Sequence, residues 1–184
     1  MSATLVLGGA RSGKSRHAER LAEESGSEVI YIATAHAGDA EMAARIAHHR
    51  GSRPAHWKTV EEPLELAKAI ERHAYPGRVI LVDCLTLWLS NLLFSGAHAF
   101  PETGEISLPS RFLKERAALL AALDGACADI VLVSNEVGSG IVPMGAVSRC
   151  FVDEQGRLNQ ALAAACERVW FVTAGLPMIL KGSL

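Results

Sequence analysis

The sequence predicts an α/β fold, a mostly parallel sheet covered by helices on both faces. Three observations carry that expectation. Five short apolar runs alternate along the chain with longer stretches of helical period. The runs are continuously apolar, without in/out alternation, as strands buried on both faces are. A glycine-rich loop stands between the first run and the first helical stretch, in the β–loop–α order of parallel sheets.

The elements follow in order. Strands are predicted at "TLVL" (4–7), "VIYIA" (29–33), "VILVD" (79–83), "IVLVS" (130–134) and "VWFVT" (169–173). Helices are predicted near 14–24, 39–50, 63–73, 85–94, 110–123 and 154–166. The segment "SGAHAFPETGEISLPS" (95–110) has no period and reads as an insertion or a short hairpin. "NEVGSGIVPMG" (135–145) is a second glycine-rich loop directly after a strand. Loops at the carboxyl ends of parallel strands line the ligand crevice of an open sheet.

The 184 residues suit one domain spanning 1–184, and 49% hydrophobic with 21% charged residues is a globular balance. Net charge is −2 with no basic block, which argues against a nucleic-acid partner. The four cysteines (84, 127, 150 and 166) form no CxxC pair and read as reduced thiols. No signal peptide is evident, and the apolar stretch 79–94 is broken by Asp83, Ser90 and Asn91, so no membrane span is expected. A cytoplasmic location follows.

"GGARSGKS" (8–15) fits the phosphate-loop pattern G-x-x-x-x-G-K-[ST] through Gly8, Gly13, Lys14 and Ser15. The intervening Gly9, Ala10, Arg11 and Ser12 would turn backbone N–H groups toward phosphates, and the following helix adds its positive end. Lys14 is then expected to neutralise β/γ-phosphate charge and Ser15 to hold Mg²⁺. This makes the fold P-loop NTPase-like and the ligand a nucleoside triphosphate. Such a loop needs an acidic partner at the end of a neighbouring strand, and Asp83 stands at one, as a metal ligand or a helix cap. The N-K-x-D element of regulatory GTPases is absent. The loop alone leaves kinase, ATPase and nucleotidyltransferase open.

"DAEMAARIAHHR" (39–50) reads as a helix with Asp39 as its N-cap and Gly51 as its stop. Helical spacing puts Met42, Ile46 and His49 on one side and Glu41, Arg45 and His48 on another. Adjacent imidazoles on a helix cannot converge on one metal ion. What remains is a solvated helix end or a nucleophile, since neutral imidazole is available near pH 7. Attack on phosphorus would give a phosphoramidate, with Arg45, Arg50 and Arg53 placed to stabilise its charge.

The segments "GGARSGKSRHAE", "YIAT", "DAEMAARIAHHRGSRPAHW", "NEVGSGIVP" and "GRLNQALA", in this order, resemble the bifunctional adenosylcobinamide kinase/adenosylcobinamide-phosphate guanylyltransferases of cobalamin biosynthesis. The resemblance covers most of the chain; the loop 95–110 and "GLPMILKGSL" carry it least. It implies two reactions. A nucleoside triphosphate, GTP or ATP, phosphorylates the aminopropanol hydroxyl of adenosylcobinamide. A histidine, matching His48, then takes GMP from GTP and passes it to the new phosphate. It further implies nucleotide contacts at Thr34, Ala35, His36, His49, Arg50, Gly51, Ser52, Glu61 or Glu62, and Asp83, where relatives can carry Glu, and a homotrimer. His56 has no role beyond its place in the motif. Two other readings stay open at this point: a monofunctional small-molecule kinase, and a nucleotide-binding switch without chemistry.

Overall fold

All five expected strands form, and two more flank them. The strands are β1 (Ala3–Gly8), β2 (Glu28–Ala33), β3 (Lys58–Glu61), β4 (Arg78–Asp83), β5 (Asp129–Asn135), β6 (Arg168–Thr173) and β7 (Leu176–Lys181). The helices are α1 (Lys14–Glu24), α2 (Leu66–His73), α3 (Leu85–Phe94), α4 (Ser110–Asp124) and α5 (Ala146–Ala165). The computed structural model describes residues 2–35, 51, 54–94, 101, 104 and 106–183. The helix expected at 39–50 lies outside these residues; Gly51, its expected stop, is itself helical. Most of the loop 95–105 also lies outside them.

The seven strands form one sheet in the order β3-β2-β4-β5-β1-β6-β7. Every pairing is parallel except β6–β7. Leu5 of β1 stands opposite Leu132 on one side and Val169 on the other, so the central strand is flanked by apolar neighbours in register. Its residues split between two cores. Leu5, Leu7, Ile30, Ile32, Ile80 and Leu132 face α2, α3, α4 and α5, where Leu66, Trp88, Phe112 and Leu158 are fully buried. Val6, Tyr31, Leu81, Val131 and Val133 face the other side and pack on Ala18 and Ala22 of α1 and on Trp57. Burying each such side chain stabilises the fold by roughly 1.5–3 kcal/mol. Helices therefore cover both faces, but unevenly: among the described residues four lie on one side and α1 alone on the other.

The differences from expectation have local causes. β3 is a four-residue edge strand, mostly exposed, and "KTVE" has no apolar run to mark it. β7 is the opposite edge, and Pro177 within it is tolerated because an edge strand can lack one donor. A tight turn with Ala174 (φ 50°) and Gly175 (φ 78°), both left-handed, joins it to β6. α5 begins at Ala146, eight residues before the expected start. Of those eight residues only Ala146 is buried, so no apolar period marks them; further along, the buried face carries Glu154, Gln155 and Asn159 beside Leu158 and Leu162. Glu154 pairs there with Arg116 of α4 (3.4 Å) and with Arg157. Among the described residues no helix is long and apolar enough to cross a membrane.

Candidate nucleotide site

β1 ends at Gly8 and α1 begins at Lys14, so residues 9–13 make the whole reversal. Gly13 takes a left-handed φ of 93° at the helix entrance. A Cβ on Gly8 would lie 2.5 Å from both Ser12 Oγ and the Val172 carbonyl oxygen. One on Gly13 would lie 3.1 Å from Gly175 Cα. Both glycines are thus demanded by close approach. Gly175 N–H also donates to the Ser12 carbonyl at 2.8 Å, so the β6–β7 turn braces the loop from behind.

α1 has no side-chain cap and no acidic residue in its first turn. Its first backbone bond runs from His17 N–H to the Gly13 carbonyl, so the N–H groups of the preceding helical residues lack an intrahelical acceptor. Together with the helix dipole this is an anion site. Lys14 stands in it, 9% exposed, with Nζ donating to the Gly9 carbonyl at 3.1 Å. Burial lowers its pKa from the ordinary lysine value, while nearby Cys84 and Asp83 act in the opposite direction. Ser15 follows, half-buried.

Asp83 is the last residue of β4, and Tyr31 Oη donates to its Oδ2 at 2.9 Å. Tyr31 stacks on Trp57, ring centroids 6.5 Å apart. The next residue, Cys84, is buried, and its thiol is pushed up to about 11 by desolvation first and Asp83 second. Thr34 is fully buried. Its Oγ1 donates to the Cys84 carbonyl (2.7 Å) and accepts Cys84 N–H (2.9 Å), while Asn91 Nδ2 donates to its carbonyl (2.8 Å). The Thr34 hydroxyl therefore joins β2 to β4 and is spent on that bond.

Glu61 closes β3 opposite Ala33. Glu62 N–H donates to the Ala33 carbonyl (2.9 Å), and its Oε1 accepts Leu64 N–H (3.0 Å) and Glu65 N–H (2.8 Å) just ahead of α2. Ala35 is half-buried beyond β2, and Gly51 is exposed. His36, His48, His49, Arg50 and Ser52 lie outside the described residues. The structure thus brings Gly8, Gly9, Ala10, Arg11, Ser12, Gly13, Lys14, Ser15 and Asp83 to one end of the sheet. Glu61 and Glu62 stand at that same end but at its outer edge.

Strand order shows where the first two residues of the "NEVGSG" loop, to which the sequence assigned no individual role, stand. β5 lies between β1 and β4, so Asn135 pairs with Gly8 and its neighbour Glu136 emerges between the loop and Asp83. Beneath them, Ser134 Oγ donates to Asn159 Oδ1 (2.7 Å), Gln155 Nε2 donates to the same oxygen (3.0 Å), and Asn159 Nδ2 donates to the Asn135 carbonyl (3.0 Å). The signal was in "NEVGSG" directly after an apolar strand, but only the order of the strands says what it stands beside.

Among the described residues no three His, Cys, Asp or Glu converge on a possible metal position. A hydroxyl on Ser15 and a carboxylate on Asp83 suit a different arrangement, in which Mg²⁺ keeps several waters and takes the rest of its oxygens from phosphates. The donor set fits that ion.

A glycine loop between β1 and α1, with β5 interposed before the acidic strand β4, defines a P-loop NTPase fold. Solved structures agree in fold: an ATPase from the type III secretion system of pathogenic bacteria superposes with a TM-score of 0.57 at 10% identity, covering 94% of this chain and 51% of that one. The flagellar accessory protein FlaH of Methanocaldococcus jannaschii gives 0.52 at 13% identity, covering 99% and 79%. The chain belongs to the cobinamide kinase/cobinamide phosphate guanyltransferase family, whose family model matches residues 4–180. It is 58% identical over 178 residues to the bifunctional adenosylcobalamin biosynthesis protein CobP of Pseudomonas aeruginosa, covering 97% of this chain and 96% of that protein. It is 47% identical to the bifunctional adenosylcobalamin biosynthesis protein CobU of Escherichia coli, covering 96% and 98%.

Proposed function

We propose that residues 1–184 form a single domain carrying both reactions on one phosphate loop. In the first, ATP or GTP phosphorylates the aminopropanol hydroxyl of adenosylcobinamide. In the second, GMP passes from GTP through a histidine–GMP intermediate on His48 to give adenosylcobinamide-GDP and pyrophosphate. The observation that carries this is the buried Lys14 ammonium beside Asp83 at an uncapped helix start, in a chain that matches the family nearly from end to end.

Phosphoryl transfer asks the protein chiefly for positioning and charge neutralisation. The loop amides and Lys14 would hold the triphosphate, with Ser15 and Asp83 holding Mg²⁺, whose chemistry is to neutralise phosphate charge. In the second reaction an imidazole nitrogen of His48 forms a bond to the α-phosphorus as the bond to the departing pyrophosphate breaks. A phosphate oxygen of adenosylcobinamide phosphate then attacks the same phosphorus, and the N–P bond breaks. Thr34, Ala35, His36, His49, Arg50, Gly51, Ser52, Glu61 and Glu62 would complete the nucleotide contacts. Thr34 is fully buried, with its hydroxyl on Cys84 and its backbone N–H on the Asp83 carbonyl, so its part would be to hold the Asp83–Cys84 segment beside these contacts.

The test is a two-stage assay. With adenosylcobinamide and γ-labelled ATP or GTP, label should appear in adenosylcobinamide phosphate; with α-labelled GTP, it should appear in adenosylcobinamide-GDP with release of pyrophosphate. Tight GTP binding with neither product would favour a nucleotide-binding switch, and the first product alone a simple kinase.

Among the described residues β7 has no partner on its outer edge, and Leu176 and Leu180 on it are 68% and 60% exposed. An apolar edge of this kind supports the homotrimer expected from the resemblance. Leu180→Lys is expected to lower the mass measured by light scattering from that of a trimer toward that of a monomer; an unchanged mass would remove β7 from the interface. The four free cysteines suit a reducing compartment, in keeping with a cytoplasmic location.

A further inference from the structure

Among the residues of the phosphate loop itself, Gly8–Ser15, there is no carboxylate or imidazole to receive the proton that the substrate alcohol loses when it is phosphorylated. We infer that Glu136 is that group, an inference that rests on the kinase reading above. Gly8 of the loop pairs with Asn135, and Glu136 N–H donates to the Gly8 carbonyl at 3.0 Å. Glu136 therefore leaves the sheet beside the first glycine of the loop, on the side facing Asp83.

Its backbone is fixed from both sides. Thr86 Oγ1 accepts Asn135 N–H at 2.9 Å, and Asn159 Nδ2 donates to the Asn135 carbonyl from the buried Ser134–Gln155–Asn159 cluster. The half-buried carboxylate is fixed as well. Oε1 accepts Gly138 N–H at 2.6 Å and Ser139 Oγ at 3.4 Å, and a Cβ on Gly138 would crowd that oxygen at 3.1 Å. Oε2 takes part in neither bond. The other described carboxylates at this end of the sheet are committed elsewhere. Asp83 is the proposed Mg²⁺ ligand and stands on β4, one strand further from the loop, Glu62 caps the approach to α2, and Glu61 sits on β3, four strands from β1. Glu136 alone among them adjoins the loop strand.

The step balances simply. The alcohol oxygen forms a bond to the γ-phosphorus, the bond from that phosphorus to the β,γ-bridging oxygen breaks, and its electron pair leaves with the nucleoside diphosphate. The alcohol proton passes to Glu136 Oε2. The guanylyl steps need no such base, because a neutral imidazole and a phosphate oxygen already carry the attacking lone pair. Glu136 thus acts in one activity and not in the other.

Glu136→Gln preserves an acceptor for Gly138 N–H and removes only the basic oxygen. The kinase kcat is expected to fall by about 100-fold or more, as loss of a positioned base does, with KM for the nucleotide within about twofold by the same reasoning. Protein-bound label from α-labelled GTP should form at the unaltered rate. Glu136→Asp, with a shorter but basic side chain, should recover part of the kinase rate. A kinase rate for Glu136→Gln close to that of the unaltered protein would overturn the assignment. So would an equal fall in both activities, which would mean that Glu136 merely supports the loop. If the unaltered protein forms no adenosylcobinamide phosphate while it still takes label from GTP, the kinase reading itself fails and the assignment falls with it.

Discussion

Lys14→Ala is expected to reduce both adenosylcobinamide phosphorylation and guanylylation by about two to three orders of magnitude, the usual cost of deleting a charge-stabilising donor from a desolvated site. The reason lies in where the ammonium sits. At 9% exposure it is poorly hydrated, which lowers its pKa, yet it lies within electrostatic reach of Asp83. A charge held there interacts with phosphate far more strongly than one in water. The alanine variant should also lose the rise in Tm that nucleotide confers on the unaltered protein, since binding to the native state alone stabilises it. Lys14→Arg should not restore activity. A planar guanidinium cannot replace a compact ammonium in so closed a position, where Nζ bonds the Gly9 carbonyl. Measuring both half-reactions in each variant separates one shared triphosphate position from two. Guanylylation surviving at full rate in Lys14→Ala would require a second nucleotide position.

The parts of this molecule that were legible in the sequence are those where one physical demand dominates. β1, β2, β4 and β5 are buried on both faces and read as uninterrupted apolar runs. Residues 8–15 read as a phosphate loop because close approach at Gly8 and a left-handed φ at Gly13 leave few other residues possible. The rest depends on tertiary pairing. β3 and β7 are edge strands whose exposure removes the apolar signal. The start of α5 is hidden because only Ala146 of its first eight residues is buried, so no apolar period marks them. The same holds at the site. Asp83 could be picked out as an acid at a strand end, but nothing in "VILVDCLT" announces Tyr31 as its hydrogen-bond donor. Thr34 could be named from a motif, whereas its engagement with Cys84 could not. Glu136 gains its meaning only once β5 is seen to lie between β1 and β4. Local chemistry was readable; adjacency across the sheet was not.

His48→Ala should separate the two activities more sharply than any other single change. Under the proposed course, GTP labelled at the α-phosphorus leaves a protein-bound label that is stable to hydroxylamine and lost in acid, the behaviour of a phosphoramidate and not of an acyl phosphate. The variant should show none of it, and formation of adenosylcobinamide-GDP should fall to background, because the covalent route has no substitute nucleophile. Phosphorylation of adenosylcobinamide should persist within a few-fold, since that reaction uses the phosphate loop and, on the inference above, Glu136. His49→Ala is the matched control. Helical spacing puts His49 on the apolar side, and its proposed role is a nucleotide contact, so its variant should need more GTP but still take the label at saturating GTP. A label that persists in His48→Ala but disappears in His49→Ala would move the nucleophile by one residue. A label lost in neither variant would direct attention to another histidine, His36 first among them. Guanylyl transfer at full rate with no protein-bound label at any time would instead mean direct attack of the cobinamide phosphate on GTP, a single displacement in which the histidines only bind.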